Sequence, residues 1–363
     1  MKHVLYIGWI GYNNLGDELM FECFKEQFYQ LGDDYKLDLV NNEKRYLDNA
    51  PLQSYDLIVL GGGSILSGAG YPIQPYIIEA LYQALQLNKK IMIWGSGIDW
   101  VPKSYLIDRQ GIDFIKTNEL KSIHEKLNAV FNESSWSGVR GPLTKQLLQQ
   151  AGVKKEVAIS GDPAFLLPNK IDKGRFPAPF DPDDKVIGIN WGTSFHNIYG
   201  RNEITLENQF AEALNQLITE GYKIYFYIMW GADLEHTRRL AAKLNDDTAW
   251  QLDNTVYPAK TLMSLMTHFD FTINFKLHAN YLSLAAGVPF IALGYRFKIF
   301  DFIRSVQLED MAIATDDPNL VEQIITLEKK ITNSRSDIIE TMEKQQQAYR
   351  LKLVEPFEQG LYI

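Results

Sequence analysis

Residues 271–302 read FTINFKLHANYLSLAAGVPFIALGYRFKIFDF. A short apolar strand (270–274) runs into a polar junction, a helix (278–287) ends on Gly287, and a second apolar strand (288–294) follows. A further short helix starts near Lys298. Strands that are apolar throughout, rather than alternating, are buried on both faces, which is the habit of a parallel sheet covered by helices. The cations of the stretch fall at its two junctions: Lys276 and His278 after the first strand, Arg296 and Lys298 after the second. Ligands of open α/β sheets bind beyond the carboxyl ends of strands, so these are ligand-facing positions.

The same grammar extends in both directions. The N-terminal half reads as strand 3–8, helix 17–31, strand 35–40, strand 55–63, helix 74–87, strand 90–97, helices 120–131 and 141–152, and a closing segment 156–165. The second half restarts with strand 185–192, helix 206–221, strand 222–231 and helices 233–244 and 259–269. Residues 167–184, LPNKIDKGRFPAPFDPDD, carry four prolines and a charge cluster, the composition of a boundary. The expected organisation is an α/β chain of two doubly wound, Rossmann-like domains facing a cleft. Domain one is 1–170, the linker 171–184 and domain two 185–312. A helical segment, 313–363, shows poor amphipathic order and is placed to brace the first domain.

The bulk numbers agree. A chain of 363 residues exceeds one ordinary core, and 46% hydrophobic with 22% charged residues is a folded composition. The net charge of −9 disfavours a general nucleic-acid surface without excluding a local basic pocket. The single cysteine, Cys23, forms no intrachain disulfide and reads as a buried residue of the first helix; the cytoplasm is the expected compartment. No run approaches the length of a membrane helix.

Beyond strand one lie Gly11, Asn14 and Asp17, read either as a backbone approach to an anion at a helix start or as a tight turn with Asp17 in the first turn. Gly62, Gly63 and Ser64 suit an amide cradle or a bare turn. Arg140, just before a helix, reaches an anion or pairs with a carboxylate, and Asp162 caps a turn or faces the site. In the second half, Asn190, Trp191 and Gly192 form an acceptor platform or a turn around a packed tryptophan. Trp230 is a stacking face for a sugar or a core residue. Lys276 and His278 suit a substrate that carries phosphate or carboxylate and needs a proton moved; the alternatives are a surface cation and a helix-start histidine. Lys298 is an anion contact or a solvated charge, and His196 is the other histidine near a strand end. Neither paired cysteines, H-E-x-x-H nor G-x-S-x-G occurs, so no metal site, cofactor or acyl-enzyme serine is expected.

In order along the chain, these pieces resemble the polysaccharide pyruvyl transferase family. The likeness rests on GWIGYNNLGDE (8–18), GGGS (61–64), Gly95–Ile98, Val139-Arg140 with Thr144, and DPAF (162–165). It ends with Lys276-Leu277-His278, then Gly287, Pro289, Tyr295 and Lys298. Two departures stand out: Lys276 occupies the place of an arginine, keeping charge and losing the bidentate fork, and Thr144 that of a serine. The resemblance implies a fold similar to GT-B glycosyltransferases. It implies transfer of the pyruvyl group of phosphoenolpyruvate to two hydroxyls of a cell-wall or exopolysaccharide precursor, with a ketal formed and phosphate released. Arg140, Lys276 and Lys298 would neutralise the donor, and His278 would move the proton. The acceptor would be a nucleotide- or lipid-linked saccharide, the latter drawing the protein to the inner face of the membrane; a homo-oligomer is left open. A nucleotide-sugar glycosyltransferase and a non-catalytic sugar-binding relative are the rival readings.

Overall fold

In the computed structural model, residues 1–108, 118–169, 171 and 176–363 are described; residues 172–175 of the expected linker lie outside them. The first half runs β1 (Lys2–Gly8), α1 (Leu15–Phe28), β2 (Tyr35–Asn41), α2 (Lys44–Leu47), β3 (Leu57–Leu60), α3 (Pro75–Gln86), β4 (Lys90–Ser96), α4 (Ser104–Asp108), α5 (Asn118–Glu133), β5 (Trp136–Val139), α6 (Pro142–Gln150) and β6 (Ala158–Ile159). The second runs β7 (Lys185–Asn190), α7 (Glu203–Thr219), β8 (Tyr222–Tyr227), α8 (Leu234–Ala241), β9 (Trp250–Asp253), α9 (Ala259–Met266), β10 (Phe271–Asn274), α10 (Leu277–Ala285), β11 (Phe290–Gly294), α11 (Phe297–Ser305), β12 (Ala312–Ala314) and α12 (Leu320–Glu358).

Each half builds one parallel sheet. The first has the order β2-β1-β3-β4-β5-β6 and the second β12-β11-β10-β7-β8-β9. Successive crossovers go to one side and then to the other, so the order reverses between β1 and β3 in the first sheet and between β7 and β10 in the second. At such a reversal the two neighbouring connections leave toward opposite faces and open a crevice at the carboxyl edge. The central strands are buried along their length, β3 and β10 at every residue. The helix after β10 is buried at every residue too, which explains why its sequence lacks a polar face. Burial of Leu282 alone is worth roughly 2 kcal/mol.

The chain divides into two compact units. The first comprises Met1–Tyr12, Asp17–Leu166 and Gln347–Ile363; the second comprises Asn13–Gly16 and Leu167–Gln346. Helix α12 is therefore shared between them along its length. Its buried residues keep helical spacing, Leu320, Ile324, Leu327 and Ile331 and then Ile338, Met342, Tyr349, Leu353 and Phe357. The backbone leaves helical geometry at Ser334 (φ −125°, ψ 26°). These buried positions keep one helical period on both sides of Ser334, spaced three, four or seven residues apart. Within the first unit Trp94 Nε1 donates to Leu353 O at 3.0 Å, Phe165 stacks on Tyr349 at 4.8 Å, and Phe357 packs on Phe24 at 5.1 Å.

Several elements differ from the sequence expectation. Strands β7 and β8 stop at Asn190 and Tyr227, and the apolar residues after them form loops. The edge strands β9 and β12 were not anticipated; β12 has three residues, too few for a period to register. Cys23 is buried, which raises its thiol pKa. Among the described residues no helix is long and apolar enough to cross a membrane.

Candidate functional site

In the first unit, the connections after β3, β4 and β5 converge on Arg140. Its side chain is fully buried. Nη1 donates to Ser64 Oγ at 2.9 Å and Nη2 to Ile98 O at 2.8 Å, while its backbone N–H donates to Ser96 O at 3.0 Å. Gly97 N donates to Gly63 O at 2.7 Å, and Thr144 Oγ1 accepts from Ile98 N at 3.1 Å. The expected Gly62, Gly63, Ser64 and Arg140 are therefore brought together, with Arg140 as the tie between loops. Asp162 is fully buried, and its Oδ1 accepts from Ala164 N at 3.1 Å, the turn-capping reading.

The loop after β1 is organised differently. Glu18 Oε1 accepts from Gly11 N at 2.7 Å and from Tyr12 N at 3.1 Å, so the Gly11 amide is already engaged by a helix-start carboxylate. Asp17 stands beside Glu18 in the first turn of α1. The four residues Asn13–Gly16 belong to the second unit. There Asn14 Oδ1 accepts from Gly16 N at 3.1 Å, and Leu15 N donates to Met229 O at 3.1 Å. Gly16 lies directly against the imidazole of His278.

In the second unit, the reversal between β7 and β10 gathers Asn190, Trp230, Lys276 and His278. Asn190, at the end of β7, accepts from Lys276 N through Oδ1 at 3.0 Å and donates from Nδ2 to Tyr227 O at 3.3 Å. It thus ties the ends of three adjacent strands. Lys276 caps α10 in extended conformation. Its Nζ donates to Thr193 O at 2.7 Å, lies 3.0 Å from Asp233 Oδ1, and stands over the rings of Trp230 and Phe275 at 5.4 and 5.6 Å. His278, 9% exposed, sits in the first turn of the helix, where the exposed backbone N–H groups favour an anion.

A buried polar network fixes this junction. Tyr227 Oη donates to Asn274 Oδ1 at 2.7 Å, and Asn274 Nδ2 donates to Thr272 Oγ1 at 2.9 Å and to Ser283 Oγ at 3.2 Å. Asn280 Nδ2 donates to Lys276 O at 3.2 Å. Polar groups without access to water must pair with one another, and a satisfied set holds one geometry. Phe275 stacks on Tyr295 at 4.4 Å, and Lys298 Nζ stands 5.2 Å from the Tyr295 ring on the other junction of the opening stretch. The cations of that stretch are therefore linked through aromatic faces.

Other expectations resolve into structure. Trp191 is fully buried between Phe210 and Phe275, which removes it as an exposed platform. Trp230 remains half-buried. His196 is exposed, with Nδ1 accepting from Glu203 N at 3.3 Å. Sequence reasoning missed Asp233, Thr193 and Glu203, which support Lys276 from two other loops. Asp233 stands two residues beyond Gly231, within reach of the strand-end argument that had singled out Trp230.

An S. aureus protein, MnaA, solved with UDP, superposes with a TM-score of 0.62 at 10% identity, over 94% of this chain and 90% of that one. A UDP-GlcNAc 2-epimerase from Neisseria meningitidis, bound to UDP-GlcNAc, gives 0.54 at 11% identity over 98% and 100% of the chains. A putative UDP-N-acetylglucosamine 2-epimerase from Listeria monocytogenes gives 0.57 at 11%, over 94% and 91%. These likenesses establish a GT-B-like fold of two Rossmann-like domains. No curated protein matches the sequence significantly. The sequence pattern described as polysaccharide pyruvyl transferase matches residues 14–296, a span that holds Arg140, Asn190, Trp230, Lys276 and His278. The chain belongs to the polysaccharide pyruvyl transferase family and is an enzyme of pyruvyl transfer in polysaccharide modification.

Proposed function

We propose that the protein transfers the pyruvyl group of phosphoenolpyruvate onto two hydroxyls of a saccharide precursor of a cell wall or exopolysaccharide. The observation that carries this reading is Lys276 and His278 at the N-terminus of α10, on the reversal of the second sheet. A cation, a helix N-terminus and a titratable imidazole meet there. Phosphoenolpyruvate is small and multiply anionic, and its chemistry starts with a proton.

Protonation of its methylene carbon makes C2 electrophilic. One sugar hydroxyl adds to C2; the second displaces phosphate, and the ketal closes. Of the two hydroxyl protons, one is balanced by the new methyl group and the other leaves with phosphate. His278 is the candidate to move protons in these steps. Lys276, Lys298 and the α10 amides would hold the donor's phosphate and carboxylate; within the first unit, Arg140 with Gly62, Gly63 and Ser64 is a separate candidate anion contact. Asn14, Asn190 and Trp230, all within the second unit, are the candidates for the saccharide. A lipid-linked acceptor would bring the protein to a membrane surface.

The test is acceptor-dependent phosphate release from phosphoenolpyruvate, with nucleotide- and lipid-linked sugars as acceptors and mass spectrometry of the product. A product heavier by one pyruvate less one water is expected. Binding of a nucleotide sugar with no binding of phosphoenolpyruvate would instead indicate a glycosyltransferase.

A further inference from the structure

Between β8 and α8 the chain turns through Gly231–Asp233. Asp233 is fully buried. Its Oδ1 accepts from Thr193 N at 3.0 Å and faces Lys276 Nζ at 3.0 Å; its Oδ2 has no hydrogen-bond partner among the described residues. Burial pushes this carboxyl above its ordinary range, against the opposing pull of Lys276 and the Thr193 amide. The approach is close: a Cβ on Gly192 would lie 2.2 Å from Asp233 Oδ1, so the loop after β7 closes on the carboxylate only because residue 192 has no side chain.

A buried carboxylate is costly unless it is paired. Here it is paired with the cation of the site. An ammonium has three N–H donors. Asp233 Oδ1 and Thr193 O take two of them. Thr193 is itself held, because its Oγ1 donates to Glu203 Oε2 at 2.8 Å while Ser194 N donates to Glu203 Oε1 at 2.6 Å. The ammonium is thus fixed from two loops and over two aromatic faces, with one N–H left without an acceptor among the described residues.

We propose that Asp233 is a positioning residue for Lys276, holding the ammonium so that its remaining N–H meets an anionic group of the donor. This rests on the reading of Lys276 as a donor contact. The test is a double-mutant cycle in the full-length protein, with phosphoenolpyruvate binding measured by titration calorimetry and folding checked by thermal melting. Lys276→Met should weaken binding about tenfold and Asp233→Ala by a similar factor. The double variant should be no weaker than Lys276→Met alone. Asp233→Asn keeps an acceptor for both partners and should stay within about threefold of wild type. If Asp233→Ala fails to fold, Asp233→Ser, which still accepts from Thr193 N, takes its place in the cycle. Additive losses would overturn the inference and leave the donor site intact. Wild-type binding by Lys276→Met would overturn both.

Discussion

Gly16 and His278 are packed face to face: a Cβ placed on Gly16 would lie 2.1 Å from Nδ1 of the imidazole. The start of α1 therefore forms the wall against which the histidine rests, and residue 16 has no room for a side chain. Gly16→Ala must push the ring aside or shift the segment that Leu15 anchors to Met229. A displacement of about an ångström costs on the order of 100-fold in a positioned reaction. Steady-state pyruvyl transfer by Gly16→Ala should fall by about that factor, and the overpacking should cost about 1–3 kcal/mol in unfolding free energy, with circular dichroism checking that the variant stays folded. Unchanged turnover would remove the wall from the mechanism.

His278→Gln retains size and hydrogen bonding but cannot be protonated in the working range. A loss of about 1,000-fold in kcat is expected for a group that moves the proton, with phosphoenolpyruvate affinity held within a few-fold. Calorimetry alongside kinetics separates the two. A variant that binds poorly and turns over normally would make His278 a binding group instead.

Lys276→Arg tests the departure from the family's arginine. The guanidinium fork can engage both oxygens of a carboxylate, and Asp233 Oδ2 stands without a hydrogen-bond partner among the described residues. Arginine should therefore be accepted, with kcat/KM within about fivefold of wild type, whereas Lys276→Met should lose activity strongly. Equal losses in both would show that the cavity is built for lysine alone.

Glu207 on α7 is buried and paired with Arg239 and Lys243, each at 2.7 Å. Burial raises its carboxyl pKa, but the bonds from the two cations outweigh that effect, and the net value lies below the ordinary 4.5. With the folded value below the unfolded one, the pair's stabilisation is complete above about pH 4.5 and is lost as pH falls through the folded value. Urea unfolding at neutral pH should show Glu207→Gln destabilised by about 3 kcal/mol. The gap to wild type should close as the solution is acidified below the ordinary carboxylate value. A gap that does not depend on pH would assign the loss to packing.

Phe357→Ala removes a ring wedged against Phe24 and Trp94. A cost of about 3–4 kcal/mol in unfolding free energy is expected for such a cavity. Denaturant midpoints would measure it, and a value under about 1 kcal/mol would show the end of α12 to be dispensable to the first unit.

Much of the fold was legible because its signals are local. LIVL at 57–60 and FTIN at 271–274 are short, largely apolar runs followed by turn residues, the pattern of a buried parallel strand, and the strand ends pointed to Lys276, His278 and Arg140. Element limits were less legible where apolar residues continue past a strand. Trp191 is as hydrophobic as β7, yet it packs in the loop that follows. The 315–350 segment reads as a helix of poor amphipathic order because polar residues, Glu328, Gln345 and Gln346, occupy buried positions of α12.

The sequence by itself determined the two parallel α/β halves and the cationic junctions of 271–302, since periodicity and strand-end position are properties of neighbouring residues. Only the tertiary structure decided that Asp233 holds Lys276, that Gly16 backs His278, and that Ser64 meets Arg140. Each of those pairs joins different connections at a carboxyl edge. Ser64 and Arg140 follow β3 and β5, which flank β4, and Asp233 and Lys276 follow β8 and β10, which flank β7; that order is settled by packing over the whole sheet rather than by any stretch of chain.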